Sequence, residues 1–421
     1  MTQTQNNQPQ NRAAQNKEAQ TIAYFVSEFP ARSHTFIRRE RDAMIDHGTT
    51  IAMHATRRCN IEDLKTDDEK KDHESTWSIL PIDWWSVIRT HWRLFSGRPK
   101  RYVKTLRKAF KHRLPGAKNA LWSAFYFAEA GVLAERLKTI HAKHLHVHFA
   151  NAGASIGYLA HQLTGIPWSM TLHGACDFEY PAGPLLKDKL ESVKHAIFVS
   201  KYGMSQAMRQ VSPDHWEKFK VVRCGIEPHQ LLPFSQLPRE FSGPPTVYCI
   251  GRLSSEKGQL GMLEAFARLR EKMPSAQLKM IGDGPDGQRL LNRSHALGIG
   301  DHVAWLGAVS EQTVIDHLRH HAHVLALPSF MEGIPMVLME AMGNGVPVVA
   351  PRIAGIPELV IHQTHGMLYH PADWQDLADR LYDILTNTPL QQTLTINAWK
   401  KVDEEFRIDT ATKPLAELFQ Q

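Results

Sequence analysis

The sequence has few cysteines and no long apolar run, and each of these absences excludes a class of protein. Its four cysteines, scattered over 421 residues, are Cys59, Cys176, Cys224 and Cys249. Disulfide frameworks and zinc knuckles need paired spacing, so neither is predicted, and a reducing, cytoplasmic setting is expected. The longest weakly charged stretch, Ala120 to Ala134, contains Glu129. It is shorter than the roughly 20 apolar residues that cross a bilayer, so no membrane span is predicted.

Residues 1–20, MTQTQNNQPQNRAAQNKEAQ, lack both the apolar core of a secretory signal and the apolar residues that packing needs. We expect a disordered tail there. Beyond it, short apolar, β-branched segments alternate with helix-sized gaps. They are TIAYFV from Thr21, HLHVHF from His144, SMTLHG from Ser169, AIFVS from Ala196 and KVVRCG from Lys220, then TVYCIGR from Thr246, LKMIGDG from Leu278, VAWLG from Val303, VLALPS from Val324 and VPVVA from Val346.

This alternation predicts an α/β protein with two doubly wound Rossmann-like domains, each built on a buried parallel sheet. The length also favours two domains. We place the N-terminal domain at 21–235, a linker rich in proline and polar residues at 236–245, the C-terminal domain at 246–395 and a helical segment at 396–421. That last segment could pack on either domain. In such sheets ligands bind where strands end and helices begin.

The stretch MEGIPMVLMEAMGNGVP follows one of these strands and carries two glutamates, Glu332 and Glu340, with seven residues between them. Gly333 and Pro335 predict a loop after Glu332, and a helix is predicted from Met336 to Met342. The N-terminus of that helix is a natural anion site. A carboxylate beside it would repel an anion unless it faced hydroxyl groups, and a sugar diphosphate offers both. Taken alone, the two glutamates could equally be exposed helix-edge residues.

Two further loops follow strands of the second domain. In GRLSSEKGQ, Arg252 and Lys257 could converge on one phosphate, although both could be ordinary surface charges. In IGDGPDG, glycines let the backbone approach a ligand, but the loop could also be only a tight turn. The spacing of its glycines fails the G-x-G-x-x-G fingerprint, which disfavours a nicotinamide cofactor and a Rossmann dehydrogenase.

The ordered set GRLSSEKG, IGDGP, SFMEGIPMVLMEAMGNGVPVVA and GIPELV, from Val247 to about Asp376, resembles glycosyltransferase family 4, the retaining GT-B enzymes with the E-x7-E signature. In the first domain, FVSEFPARSHTFIRRE, HVHFA, TLHGACDF and VVRCGIEP resemble colanic-acid-type exopolysaccharide transferases. The resemblance implies a GT-B fold with a central cleft, an acceptor-binding N-terminal domain, a nucleotide-sugar-binding C-terminal domain and a C-terminal helix that can cross back to the first domain.

It also implies roles for individual residues. Arg252 and Lys257 would hold the donor diphosphate, Glu340 the ribose diol and Glu332 the transferred sugar, while His173 would lie beside the reacting sugar. The implied catalytic residues are His173, Arg252, Lys257 and Glu332. The implied donor-binding residues are Gly251, Arg252, Lys257, Gly282, Asp283, Gly284, Pro285, Glu332, Gly333, Ile334, Pro335, Met336, Val337 and Glu340. The candidate acceptor residues are Ser33, His34, Thr35 and Asp177.

Two departures from the family pattern bear on specificity. Ile334-Pro335 stands where the family often has Phe-Gly, which leaves the choice of hexose open, and His34 stands where related chains commonly carry glutamate. Breaking a sugar–diphosphate bond creates an anionic leaving group, and two cations with a helix N-terminus can stabilise it without a metal. No cofactor and no metal are therefore expected. The family's retaining route, front-face attack by the acceptor, needs no enzyme nucleophile.

Two other patterns leave alternatives open. His144, His146 and His148 share one strand face, which would suit a metal, but no carboxylate or cysteine accompanies them in the sequence. Residues 97–113 carry eight Lys or Arg with apolar residues at helical spacing. They predict either a solvated helix face or a basic amphipathic helix on an anionic membrane surface.

The sequence as a whole predicts transfer of a hexose from a UDP- or GDP-sugar to a growing saccharide, in exopolysaccharide or cell-surface polysaccharide synthesis. The acceptor is expected to be linked to polyprenyl diphosphate, with the enzyme in the cytoplasm, peripheral to the inner face of the membrane. The net charge of +6 is compatible with anionic partners, but nucleic acid is not expected because no nucleic-acid fold accompanies it. The alternatives are a nucleotide-sugar epimerase or hydrolase on the same fold, or a non-catalytic GT-B-like scaffold.

Overall fold

The computed structural model of the chain describes residues 21–31, 34–64, 66–240 and 242–420. The predicted tail at 1–20 and the candidate acceptor residue Ser33 lie outside the described residues. The described part forms two parallel sheets, each covered by helices on both faces, as the alternating pattern predicts.

The first sheet has seven strands in the order β3-β2-β1-β4-β5-β6-β7, all parallel. The strands are β1 Thr21–Glu28, β2 Thr50–Arg57, β3 Trp77–Ser78, β4 His144–His148, β5 Trp168–Leu172, β6 His195–Phe198 and β7 Phe219–Val221. Its helices are α1 Thr35–Asp46, α2 Asp67–Ser75, α3 Trp84–Gly97, α4 Pro99–Lys111, α5 Ala117–Thr139, α6 Ala152–Thr164, α7 Leu186–Ser192 and α8 Lys201–Met208. Every residue of the central strands β4 and β5 is buried, which explains why they read as continuous strand segments.

The second sheet has six strands in the order β10-β9-β8-β11-β12-β13, also parallel. The strands are β8 Thr246–Ile250, β9 Gln277–Ile281, β10 Val303–Trp305, β11 Val324–Ala326, β12 Val348–Pro351 and β13 Met367–Tyr369. The helices are α9 Gln259–Lys272, α10 Gly287–Ala296, α11 Glu311–His320, α12 Met336–Gly343, α13 Ile356–Leu359, α14 Trp374–Thr386, α15 Thr388–Glu405, α16 Ile408–Ala411 and α17 Lys413–Gln420.

Each strand segment predicted from the sequence overlaps an observed strand, but β2, β3 and β13 are not predicted. The last two are only two and three residues long. In β2, TIAMHATR, polar residues interrupt the apolar pattern and only three residues are buried. The helix predicted at Met336 to Met342 is α12, and Pro335 lies at its N-cap rather than at its first helical position.

Three consecutive helices, α3 to α5, lie between β3 and β4 and pack against one another, with α4 and α5 also contacting α6. The predicted basic helix at 97–113 is α4. The large exposed apolar residues on these helices are Trp84, Trp85, Ile88, Trp92 and Phe95 of α3, Phe110 of α4, and Leu121, Trp122 and Phe125 of α5. Within the described residues, no helix has the length and apolar character that a bilayer span requires.

The C-terminal helices return to the first domain. Leu415 and Ala416 of α17 pack in a buried cluster with Met44, Ile197 and Val222, and α16 and α17 both contact α1. The predicted crossing of the C-terminal helix is therefore observed. The proposed limit at residue 396 lies inside α15, and the domain limits remain predictions.

Candidate active site

A pocket of about 370 Å³ lies between the two domains, where strands of both sheets end. From the first domain it is lined by Thr35, Phe36, His173, Val199 and Cys224, which follow β1, β5, β6 and β7. From the second domain it is lined by Ile250, Gly251, Lys257, Glu311, Val314, Leu327, Glu332, Gly333, Ile334, Pro335, Met336, Val337 and Glu340. Most of the predicted donor residues and the predicted catalytic residues His173, Lys257 and Glu332 thus meet in one place.

Lys257 and Glu332 form an ion pair in this pocket. Lys257 Nζ donates to Glu332 Oε1 at 2.7 Å, and the side chains are 30% and 7% exposed. Lys257 reaches the pocket from the short turn before α9, and Glu332 from the loop after β11. Lys257, predicted to hold the diphosphate, therefore directly contacts Glu332, predicted to hold the transferred sugar.

The helix α12 supplies the other predicted glutamate. Glu340 is 9% exposed, and burial raises its pKa, an effect that Glu311 increases and Arg39 opposes. Arg39 of α1 donates to Glu340 Oε1 at 3.2 Å and to Glu311 Oε1 at 2.5 Å, which joins the two domains. The Pro335 N-cap provides no side-chain cap for α12. Residues Gly333–Val337 line the pocket and lead into the first turn of α12, so the positive end of the helix dipole lies at this wall.

His173 lies in an aromatic setting at the end of β5. Its ring centroid is 4.6 Å from that of Phe36 and 4.8 Å from that of Phe149, and its Nε2 is 3.0 Å from Nδ1 of His148. Burial, with a contribution from the neighbouring imidazoles, lowers the pKa of His173 well below its usual value. Its buried Nδ1 has no hydrogen-bond partner in the described part of the chain. A neutral imidazole with one open nitrogen suits a hydrogen bond to a sugar hydroxyl.

Gly333 allows the two domains to approach each other. A Cβ at this position would lie 1.9 Å from the His173 carbonyl oxygen, a clash that the backbone could relieve only by moving the loops apart. The absence of a side chain therefore places the loop that carries Glu332 directly against the loop that carries His173.

The predicted nucleoside loop, Gly282–Pro285, packs against the loop that follows β8. Gly282 has a φ of +140°, and a Cβ there would lie 2.0 Å from the Gly251 carbonyl oxygen. Leu253 N also donates to the Asp283 carbonyl oxygen at 3.0 Å. The glycines are thus required for contact between loops. Neither this loop nor the exposed Arg252 lines the pocket.

Of the described candidate acceptor residues, one lines the pocket and two do not. Thr35 lines the pocket, whereas His34 bonds to the Glu28 carbonyl at 3.2 Å and burial lowers its pKa. Asp177 is 2% exposed, and its carboxylate accepts hydrogen bonds from the backbone N–H groups of Ala150, His173 and Gly174. Asp177 therefore holds the His173 loop and does not line the pocket.

The histidines of β4 are accompanied by a carboxylate, contrary to the sequence-based expectation. Glu40 Oε1 of α1 lies 3.7 Å from His148 Nε2, and Glu40, His146 and His148 could together surround an ion. Both ring nitrogens of His146, however, already lie within hydrogen-bonding distance of hydroxyls, at 2.7 Å from Ser169 and 3.0 Å from Thr171. These buried groups form a hydrogen-bonded network beside His173.

Three charged residues were not identified from the sequence: Arg39, Glu311 and Glu358. Glu358 Oε2 pairs with Arg223 at 2.7 Å, and its carboxylate accepts from Lys201 N and Tyr202 N at the start of α8. Arg39 lies in FIRRE and Glu358 in GIPELV, two segments that carry the family resemblance. Partners more than 130 positions apart cannot be paired from sequence spacing.

Comparison with known proteins agrees with this geometry. Residues 235–401 match the family model described as glycosyl transferases group 1. The chain is 26% identical over 446 residues to the putative colanic acid biosynthesis glycosyltransferase WcaL of Escherichia coli K12, covering 95% of this chain and 99% of the relative. It is 27% identical over 325 residues to the N-acetyl-alpha-D-glucosaminyl L-malate synthase of Bacillus anthracis, covering 74% and 84%. Anabaena Alr3699/HepE, solved in complex with UDP and glucose, has a similar fold, with a TM-score of 0.71, 17% identity and coverage of 95% and 99%.

Two facing parallel-sheet domains with a pocket between them define the GT-B fold, and the predicted fold class is confirmed. The chain is a glycosyltransferase: its residues 235–401 match the group 1 glycosyl transferase model, and a relative from colanic acid biosynthesis matches nearly its full length.

Proposed function

We propose that this glycosyltransferase moves a hexose from a nucleoside-diphosphate sugar to a saccharide acceptor, with retention of the anomeric configuration. The observation that carries the proposal is the convergence of Lys257, Glu332, Glu340 and His173 on one interdomain pocket. The Anabaena protein shares the fold, and its complex with UDP and glucose supports a nucleotide-sugar donor. UDP- and GDP-sugars are both candidates.

The donor would divide into three parts across the pocket. Lys257 and the N-terminus of α12 would stabilise the negative charge that develops on the leaving diphosphate. Glu340 would accept hydrogen bonds from the ribose hydroxyls and Glu332 from hydroxyls of the transferred sugar. No metal is assigned a role in this arrangement.

His173 would position the sugar rather than shuttle a proton, because burial lowers the pKa of its imidazole well below the usual value and so makes it a weak proton acceptor. The acceptor hydroxyl would attack from the face that the diphosphate leaves, and the leaving phosphate would take the proton. This front-face route needs no carboxylate nucleophile, which is consistent with the ion pairing of Glu332 to Lys257.

The acceptor would be linked to polyprenyl diphosphate at the cytoplasmic membrane surface, in polysaccharide biosynthesis. Support comes from the exposed apolar residues of α3, which recur at helical spacing at Trp84, Ile88, Trp92 and Phe95, beside the basic helix α4. Apolar side chains next to cations are typical of helices that lie on anionic membranes.

A thermal-shift panel of UDP-, GDP- and ADP-sugars tests the donor assignment. A ligand present at 100 times its Kd stabilises the folded state by about 2.7 kcal/mol, which corresponds to a rise in Tm of about 5–10 °C for a domain of this size. The proposal is wrong if none of the nucleotide sugars raises the Tm. Free sugar or sugar isomers formed from the donor without acceptor would instead favour the hydrolase or epimerase alternative.

A further inference from the structure

A second cavity, of about 420 Å³, lies in the N-terminal domain and belongs to no predicted site. Its walls are the end of α4, the turn into α5, the first turn of α6 and the 180–185 segment beyond β5. Because α6 begins where β4 ends, this cavity lies on the same edge of the first sheet as the interdomain pocket.

The lining of this second cavity is basic. Arg113, Lys118 and the buried Lys189 contribute to it, and among the described residues that line it none is Asp or Glu. The N-cap of α6, Asn151, and Ala152 also line it, which adds the positive end of that helix dipole. Arg113 and Lys118 on this lining favour an anionic ligand.

Aromatic side chains form another wall. The rings of Trp122 and Tyr126 stack at 6.1 Å with an angle of 29° between them, and Tyr180, 75% exposed, stands at the rim. Apolar ring faces beside polar groups are typical of sites that bind organic ligands rather than bare ions. Trp122 also belongs to the exposed apolar surface of α5, together with Leu121 and Phe125.

A short chain of contacts joins this cavity to His173. Lys189 Nζ donates to the carbonyl oxygen of Ala150, and Ala150 N donates to Asp177 Oδ1 at 2.6 Å. Asp177 Oδ2 in turn accepts from His173 N at 2.7 Å. The second cavity is therefore fixed to the loop that carries the predicted catalytic imidazole.

We propose that this second cavity binds the phosphate-bearing end of the acceptor, with Arg113 and Lys118 on the phosphate and Trp122 and Tyr126 against the adjoining sugar or lipid. The proposal rests on the proposed transferase function, which requires an acceptor. Trp122 belongs both to the cavity and to the exposed apolar surface of α5, so a lipid would leave the cavity along that surface.

Calorimetric titration tests the site with two probes, glucose 1-phosphate in buffer and farnesyl diphosphate in neutral detergent. The Arg113→Gln/Lys118→Gln variant should bind whichever probe the parent binds with a Kd at least about tenfold higher, because two charge-assisted hydrogen bonds are lost. The control Lys138→Gln/Lys143→Gln makes the same charge change at exposed positions, at the end of α5 and before β4, and should bind like the parent. Lys257→Met should also retain probe binding.

Binding of glucose 1-phosphate alone would assign a soluble phosphosugar, and binding of farnesyl diphosphate would assign a lipid-linked acceptor. The proposal would be overturned if the control variant weakened binding equally, or if only Lys257→Met weakened it. It would also be overturned if the protein did not prefer glucose 1-phosphate to glucose and did not bind farnesyl diphosphate. A failure of the proposed nucleotide-sugar function can be distinguished from a failure of this proposal. It would abolish the thermal shifts with nucleotide sugars, while the phosphate titrations would still separate Arg113→Gln/Lys118→Gln from its control.

Discussion

Replacing Lys257 with methionine tests the assignment of the donor diphosphate. The substitution keeps an unbranched side chain that is one atom shorter and removes its charge. A charge-assisted hydrogen bond contributes about 1.5–3 kcal/mol. Lys257 must exchange its 2.7 Å bond to Glu332 for the phosphate, and it is 30% exposed, so we expect the lower part of that range. A loss of about 1.5–2 kcal/mol corresponds to a Kd about 10- to 30-fold higher.

The assay is calorimetric titration of the nucleoside diphosphate and of its sugar derivative, using the nucleotide selected by the thermal panel. Lys257→Met should weaken both ligands by a similar factor, because both carry the diphosphate. Glu332→Gln should leave the bare nucleotide bound as tightly or more tightly, since it no longer competes for Lys257, but should reduce the advantage of the sugar nucleotide. Unchanged binding in Lys257→Met, or equal weakening of both ligands in Glu332→Gln, would refute the division of roles.

Three further predictions concern the domain contact, a buried acid and the membrane surface. Gly333→Ala should lower turnover by about 100-fold, because its Cβ would lie 1.9 Å from a carbonyl oxygen across the cleft and shift the loops. The control is Gly97→Ala, whose Cβ would have no atom within 4 Å, and it should leave turnover unchanged. Burial raises the pKa of Glu40 to about 7, above its ordinary 4.5, so the folded protein holds this proton to higher pH than the unfolded chain and loses stability as the pH rises between these two values. Glu40→Gln should therefore gain Tm relative to the parent from about pH 5 to about pH 8, and a constant difference would contradict this. Trp85→Ser removes a side chain that is 75% exposed and should sediment about tenfold less with phosphatidylglycerol vesicles, because burying a large apolar side chain contributes about 1.5–3 kcal/mol. The control is Trp216→Ser, at an exposed position outside α3. Equal losses in the two variants would reject the α3 surface as the membrane contact.

The sequence predicted the fold well because the sheets are parallel and buried. Central strands such as β8 and β11 are buried and largely apolar, and helix-sized gaps between such segments leave few arrangements other than doubly wound sheets. The site was predictable where chemistry and spacing are local, as between Glu332 and Glu340 on either side of a helix N-terminus. The ordered motifs then supplied the roles by resemblance.

The remainder depends on contacts between distant segments. The sequence does not indicate that Arg39 lies between Glu311 and Glu340, or that Glu40 joins the histidines of β4, because α1 is about 100 residues or more from each partner. The glycines of the 282–285 loop were interpreted as an approach for ligand, whereas their observed neighbours are backbone atoms of the loop after β8. Both explanations predict glycine, and only the packing distinguishes them.

The helix α1 connects the separate parts of the active site. It begins at Thr35 on the pocket wall, and Arg39 crosses the cleft to the carboxylate predicted to bind ribose. Glu40, the next residue, accepts from Tyr24 and faces His148, which bonds to His173. A ribose that takes hydrogen bonds at Glu340 must share that carboxylate with Arg39, so donor binding depends on the position of α1. Because the neighbouring Glu40 lies beside the histidine network, α1 contacts both the carboxylate predicted to bind ribose and the histidine that bonds to His173.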